Sequence, residues 1–143
     1  MTCDFLLDVK GVQKYEDREP ETIELTTEAE LTGEDGVLYL RYAESELTGL
    51  QGTETCFELH RDKVILRRKG AVTSEMVFVP GQINQSLYNT EEGALLITVR
   101  TLAVEDEMTL TGGSLHVAYG ITVEGLGTGQ IDYWLTVRPK ACR

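Results

Sequence analysis

Apolar and polar residues alternate along this chain with a period of two, and helical spacing is hard to find anywhere in it. The stretch LHVAYGITVEG shows the pattern most clearly. Leu115, Val117, Tyr119, Ile121 and Val123 fall on one face, and His116, Ala118, Gly120, Thr122 and Glu124 fall on the other. A β-strand turns successive side chains to opposite faces, so this stretch reads as a strand with one buried face. IDYWLTV repeats the pattern, with Ile131, Tyr133, Leu135 and Val137 opposed by Asp132, Trp134 and Thr136. Nearer the start, ETIELTTEAELT sets Ile23, Leu25, Thr27, Ala29 and Leu31 against Thr22, Glu24, Thr26, Glu28 and Glu30, an apolar inner face behind an acidic outer one.

Turn signals punctuate these runs. GEDG (Gly33 to Gly36) leads into VLYLRYAE, GLQG (Gly49 to Gly52) into TETCFELH, and Asp62 into KVILRRKG. Gly70 precedes VTSEMVFVPG, Gly93 opens ALLITVRTLAV, TGG precedes Leu115, and EGLGTG supplies the last tight reversal. About ten strands result, joined by short links. Parallel strands would need helical crossovers, and Greek keys a long crossing connection; neither is present in the pattern. The reading is all-β: residues 1–143 as a single domain, folded as a closed or nearly closed antiparallel up-and-down β-barrel whose closure removes exposed edges.

A chain of 143 residues with 41% apolar and 26% charged residues can bury one core without help from metals or disulfides. The net charge of −11 lies wholly in residues 1–60, which carry 15 acidic and 4 basic residues; residues 61–143 carry 9 of each. That surface repels phosphate backbones, so nucleic acid is not an expected partner. Cys3, Cys56 and Cys142 cannot all pair within one chain and form no Cys-x-x-Cys, so they read as free thiols in a reducing compartment. MTCDFLLDVKGV is too short in apolar length, and lacks the basic lead, for a secretory signal; no segment reaches the roughly 20 apolar residues of a membrane helix. A cytoplasmic protein with no membrane contact is the expectation.

No catalytic constellation is legible. His60 and His116 are the only histidines, and without ligand-spaced partners they read as structural or surface residues rather than a general base or zinc ligands. There is no nucleophile elbow, phosphate loop or dinucleotide fingerprint, and no cofactor or metal is expected. The acidic positions Glu24, Glu28 and Glu30, and Glu105, Asp106 and Glu107, read as solvated faces and turns rather than a cation site.

One stretch runs against the charge of the chain. In VILRRKGAV, alternation puts Val64, Leu66 and Arg68 on one side and Ile65, Arg67 and Lys69 on the other. With Val64 and Leu66 inside, Arg68 is drawn inward while Arg67 and Lys69 reach solvent. A buried guanidinium needs a partner. Three readings stand: an ion pair with a carboxylate of the protein, the usual arrangement; an anchor for the anionic end of a ligand; or an exposed strand end. Met76, Phe78, Tyr88 and Tyr119 are the side chains expected to line an interior cavity beside Arg68, if the barrel is not simply filled by them.

The ordered set RKGAV, MVFVPG, SLYNTEEG, ITVRT and TGGSLHVAYGITVEG resembles the YwiB-like family of uncharacterised bacterial proteins, from about Tyr39 to Val137. The resemblance implies a calycin/lipocalin-like barrel of bacterial cytoplasmic origin, and no activity. The chain departs from the ligand carriers of that shape: it has no Gly-x-Trp near the first strand, no room for a helical lid in YEDREPE, and no Arg-x-Tyr clamp in the last strand. Two functions follow as expectations. The first is a non-enzymatic binder of a small amphipathic or anionic molecule, which requires a cavity reaching Arg68. The second is a filled barrel that meets a protein partner through its outer surface, which requires a contiguous apolar patch beyond a few hundred Å². The sequence does not set the oligomeric state.

Overall fold

In the computed structural model, which describes residues 5–15, 18–44, 51–124 and 127–140, the alternating segments form ten strands, and those residues include no helix. They are β1 (Phe5–Tyr15), β2 (Glu21–Glu34), β3 (Val37–Ala43), β4 (Thr53–Leu59), β5 (Val64–Gly70), β6 (Ser74–Phe78), β7 (Ile83–Thr90), β8 (Gly93–Asp106), β9 (Gly113–Val123) and β10 (Gly127–Pro139). The β2–β3 link shows how local sequence sets a reversal. Asp35 and Gly36 both take positive φ, 52° and 80°, as a two-residue primed turn needs, and Asp-Gly is a pair that tolerates this.

The strands make one sheet in the order β6-β5-β4-β3-β2-β1-β10-β9-β8-β7, antiparallel throughout, with β1 against β10 joining the two halves. The sheet curls until its outer strands meet. The seam between β6 and β7 is thin: Thr73 and Asn89 exchange two backbone hydrogen bonds of 2.9 Å, and Asn84 Nδ2 donates to the Val77 carbonyl at 3.3 Å. The fold is therefore the nearly closed up-and-down barrel that the alternation predicts. No helix among the described residues is long and apolar enough to cross a membrane.

The links alternate between two ends of the barrel, and the interior differs between them. The end holding the β2–β3, β4–β5, β6–β7 and β8–β9 links is filled, with Leu7, Phe57, Val64, Phe78, Leu115 and Leu135 at 3% exposure or less. Fully burying such side chains supplies about 1.5–3 kcal/mol each, so this half is the natural source of the fold's stability. The other end carries the functional candidates.

On the outer face, Arg67 pairs with Glu58 and, at 2.9 Å, with Glu75, while Lys69 is exposed. The basic run is thus split as the alternation predicts. Glu24, Glu28 and Glu30 stay exposed on the outer face of β2, and Glu28 accepts from Lys140 Nζ at 2.6 Å, which holds its carboxyl below the usual range.

Candidate functional site

Four inward positions line up across neighbouring strands. Register places Tyr42 opposite Thr55, Thr55 opposite Arg68, and Arg68 opposite Ser74, and all four are buried. This polar row crosses β3 to β6 in an interior that is mostly aliphatic and aromatic. Arg68 is 6% exposed, yet it forms no ion pair among the described residues, and its Nε has no hydrogen-bond acceptor. Ser74 Oγ, one strand over, is also buried and unpartnered. Native interiors leave few polar atoms in that condition, and an unpaired buried charge is among the costliest.

A cavity of about 280 Å³ occupies the half of the barrel next to this row, and Arg68 lines it. The cavity lies toward the end carrying the β1–β2, β3–β4, β5–β6, β7–β8 and β9–β10 links. Met76, Tyr88 and Tyr119 line it as the sequence suggests. Phe78 does not: it is fully buried behind Tyr119, with ring centroids 4.7 Å apart, and belongs to the packed half. Both Met76 and Phe78 point inward from β6, but Phe78 stands two residues deeper along the barrel axis.

The structure adds site residues that the sequence reading did not single out. Glu44, 8% exposed, continues the parity of Leu38, Leu40 and Tyr42 just past the end of β3, where its backbone N–H still bonds to the Thr53 carbonyl at 2.9 Å. Its carboxylate accepts from Thr55 Oγ1 at 2.7 Å, and its charge acts on the Tyr42 hydroxyl nearby. Tyr15 and Tyr133 join Tyr42, Tyr88 and Tyr119, so five tyrosines line the cavity. Parity alone was the available signal: Tyr133 shares its face with Ile131 and Leu135.

Two of these tyrosines rely on a glycine directly opposite. Tyr133 on β10 faces Gly11 on β1, and Tyr15 on β1 faces Gly129 on β10. A Cβ on Gly129 would stand 2.5 Å from Tyr15 Cδ1, and one on Gly11 would stand 3.1 Å from Tyr133 Cε1. The glycines leave room for each ring to lie across its neighbour's backbone, an arrangement that also shields a strand from which no side chain projects.

The electrostatics follow from burial. Burial works against charge on Arg68, but the phenolates that Tyr133, Tyr119 and Tyr42 become at high pH, together with the Glu44 carboxylate, outweigh it and raise its pKa, so the guanidinium stays protonated. Burial likewise pushes the Tyr42 and Tyr119 hydroxyls well above their usual range, aided for Tyr42 by the Glu44 charge and for Tyr119 by Tyr133, and so keeps both neutral donors. Among the described residues, the site therefore brings together a guanidinium, Arg68, a carboxylate, Glu44, and the neutral hydroxyls of Tyr42 and Tyr119.

The remaining candidates lie elsewhere. His116 is on the outer face, 3.2 Å from Glu105 and 3.1 Å from Asp132, and stacks on Trp134 with centroids 4.7 Å apart. His60 lies 3.3 Å from Glu58. Cys56 is a free, half-buried thiol whose pKa burial pushes up, an unreactive setting. Cys3, Cys142 and Gly49 lie outside the described residues. Among the described residues, no group of three or more His, Cys, Asp or Glu is placed to hold a metal ion.

A nearly closed ten-stranded antiparallel barrel with a polar row beside an interior cavity is the class of protein these features define. The chain belongs to the family described as a domain of unknown function (DUF1934), whose model matches residues 7–135. Among solved structures it is similar to the crystal structure of the ywiB protein from Bacillus subtilis, with a TM-score of 0.86 and 23% identity, over 97% of this chain and 93% of that one. At that identity the likeness shows the fold, and it agrees with the resemblance carried by the ordered motifs. No curated protein matches the chain.

Proposed function

We propose that this protein is a non-enzymatic binder of a small amphipathic molecule, held in the barrel with its acidic or acceptor end on Arg68. One observation carries the reading: a charged guanidinium lines an interior cavity while it is buried and has no ion-pair partner among the described residues. A purely structural arginine would be expected to sit on a carboxylate, because only then is its desolvation offset. Glu44 is the candidate partner, and its carboxylate instead accepts from Thr55. The planar fork of arginine suits a carboxylate or phosphate oxygen pair. Aliphatic Ile97, Ile121 and Ile131 and the rings of Tyr88 and Tyr119 offer the apolar part of the molecule its surface.

The alternative of a filled barrel with a partner-binding exterior has less support. The interior is not filled beside Arg68. The large apolar side chains left exposed among the described residues, Ile83, Leu87, Leu102, Leu110 and Trp134, are divided among β7, the β8 bulge, the β8–β9 link and β10.

Native mass spectrometry of the protein purified from its own host tests the reading. A copurifying mass in the range of a small metabolite, lost in Arg68→Met while the variant stays folded, is expected. A protein that emerges empty, and that also binds no carboxylate or phosphate ester in titration, overturns it.

A further inference from the structure

The cavity holds two opposite charges that do not meet. Arg68 and Glu44 are both buried and both line it, yet they form no ion pair. Buried opposite charges normally close on each other, since contact is what offsets their loss of water. Thr55 is neighbour to both. It is the cross-strand neighbour of Arg68, and its hydroxyl donates to Glu44. Each charge is left with binding capacity turned toward the same space.

We infer that the ligand is a small zwitterion, with its acid on Arg68 and an ammonium group held between Glu44 and the tyrosine rings. This rests on the binding reading above and specifies its ligand. Three further features favour it. A simple monoanion would be drawn to Arg68 but repelled by Glu44 in a site of low dielectric, whereas a zwitterion answers both charges and leaves the cavity neutral. Tyr15, Tyr42, Tyr88, Tyr119 and Tyr133 supply aromatic faces, the surfaces on which ammonium groups are stabilised by the ring quadrupole. At the same end of the barrel, Glu19, Glu21, Glu91, Glu92 and Glu124 are exposed, against Lys14, Arg18 and Lys69, so the approach disfavours a bare anion. Size narrows the class again. A cavity of about 280 Å³ lies at the small end of ligand pockets, which run from about 300 to 1,000 Å³, the scale of an amino acid rather than a long acyl chain.

Calorimetric titration of the unmodified protein with two matched sets of probes tests this. One set is phenylalanine, 3-phenylpropanoate and 2-phenylethylamine; the other is leucine, 4-methylpentanoate and 3-methylbutylamine. Within at least one set the zwitterion should bind at least about tenfold more tightly than the acid, the effect of adding one desolvated charge pair. Glu44→Gln should erase that preference by weakening the zwitterion and strengthening the acid. If the acid binds as well as the zwitterion, or better, the zwitterion inference is overturned and the Arg68 anchor stands. If the amine binds alone and Arg68→Met leaves it unchanged, the anchor falls too. If no member of either set binds, the zwitterion inference falls, and the anchor is then judged by the copurification and ester titrations alone.

Discussion

Thr55 stands directly opposite Arg68 on the neighbouring strand, yet its hydroxyl turns away and donates a 2.7 Å bond to Glu44. That one hydrogen bond organises the site. It ties up one oxygen of the anion from within the barrel, and Glu44 and Arg68 make no ion pair, so both keep capacity for a partner in the cavity. Tyr42, next in the same row, feels the same carboxylate, whose charge adds to burial in raising its pKa. Within this row the buried atoms left without a partner are Arg68 Nε and, beside it, Ser74 Oγ; Ser86 Oγ and Thr101 Oγ1 are in the same condition elsewhere.

This asymmetry should appear in stability. Arg68→Met removes a guanidinium with an orphaned Nε and should leave the folding free energy within about 1 kcal/mol of the parent, because what is lost in charge balance is regained in desolvation. Glu44→Gln removes the one carboxylate near that guanidinium among the described residues and should cost about 1–3 kcal/mol, a loss that adding Arg68→Met restores. Urea denaturation midpoints at neutral pH measure all three. A direct structural ion pair would behave otherwise, with both single variants losing about 3–5 kcal/mol.

The two inward side chains of β6 should respond differently to truncation. Phe78 is fully buried against Tyr119, so Phe78→Ala opens a void in packed surroundings and should cost about 3–5 kcal/mol. Met76 already borders the cavity, so the space vacated by Met76→Ala merges with existing space and the loss should be nearer about 2 kcal/mol. Equal losses in chemical denaturation would mean that the cavity does not reach β6 in solution.

That contrast also marks the limit of what the sequence makes legible. Alternation separates inside from outside reliably: it sends Arg68 in and Lys69 out, and it places Tyr119 and Tyr133 on inner faces. It carries no information about height along the barrel axis, which depends on strand tilt and on registers set by every neighbouring pair. Met76 and Phe78 therefore look equivalent in sequence, though one lines the cavity and the other does not. Glu44 was hidden for a related reason. Its charge argues for the surface, and only the row formed with Tyr42 and Thr55 shows why a carboxylate is tolerated inside.

Alkaline conditions should unfold this barrel cooperatively. Burial raises the pKa of Tyr42 and Tyr119 in the folded state, with the Glu44 charge adding to Tyr42 and Tyr133 to Tyr119. In the unfolded chain both titrate near pH 10. Below that pH the two states carry the same protons at these sites, so the stability they contribute is fully present at neutral pH. Above it the unfolded chain releases protons that the folded one retains, so stability falls progressively as pH rises from about 10 toward the folded-state values. Tyrosinate absorbance should then have a late component that rises together with loss of β-sheet circular dichroism. If all six tyrosines ionise before any loss of sheet signal, the interior placement of these two rings is wrong.

The glycines opposite the cavity tyrosines offer a test of the site's walls that spares its charges. On Gly129 a Cβ would stand 2.5 Å from Tyr15 Cδ1 and 2.8 Å from the Lys14 carbonyl oxygen, so both a ring and a backbone group would have to move. On Gly11 the nearest contact is 3.1 Å, to the edge of the Tyr133 ring alone. Gly129→Ala should therefore cost about 1–3 kcal/mol by overpacking and turn Tyr15 out of the wall, while Gly11→Ala should cost less than about 1 kcal/mol. In a Tyr15→Ala background the ring contact is gone and only the carbonyl contact remains, so Gly129→Ala should lose at least about half its effect. Thermal melts of the four variants provide the ranking. If Gly129→Ala costs as much without the ring as with it, the carbonyl contact alone sets the penalty, and Tyr15 does not lie across Gly129 as described.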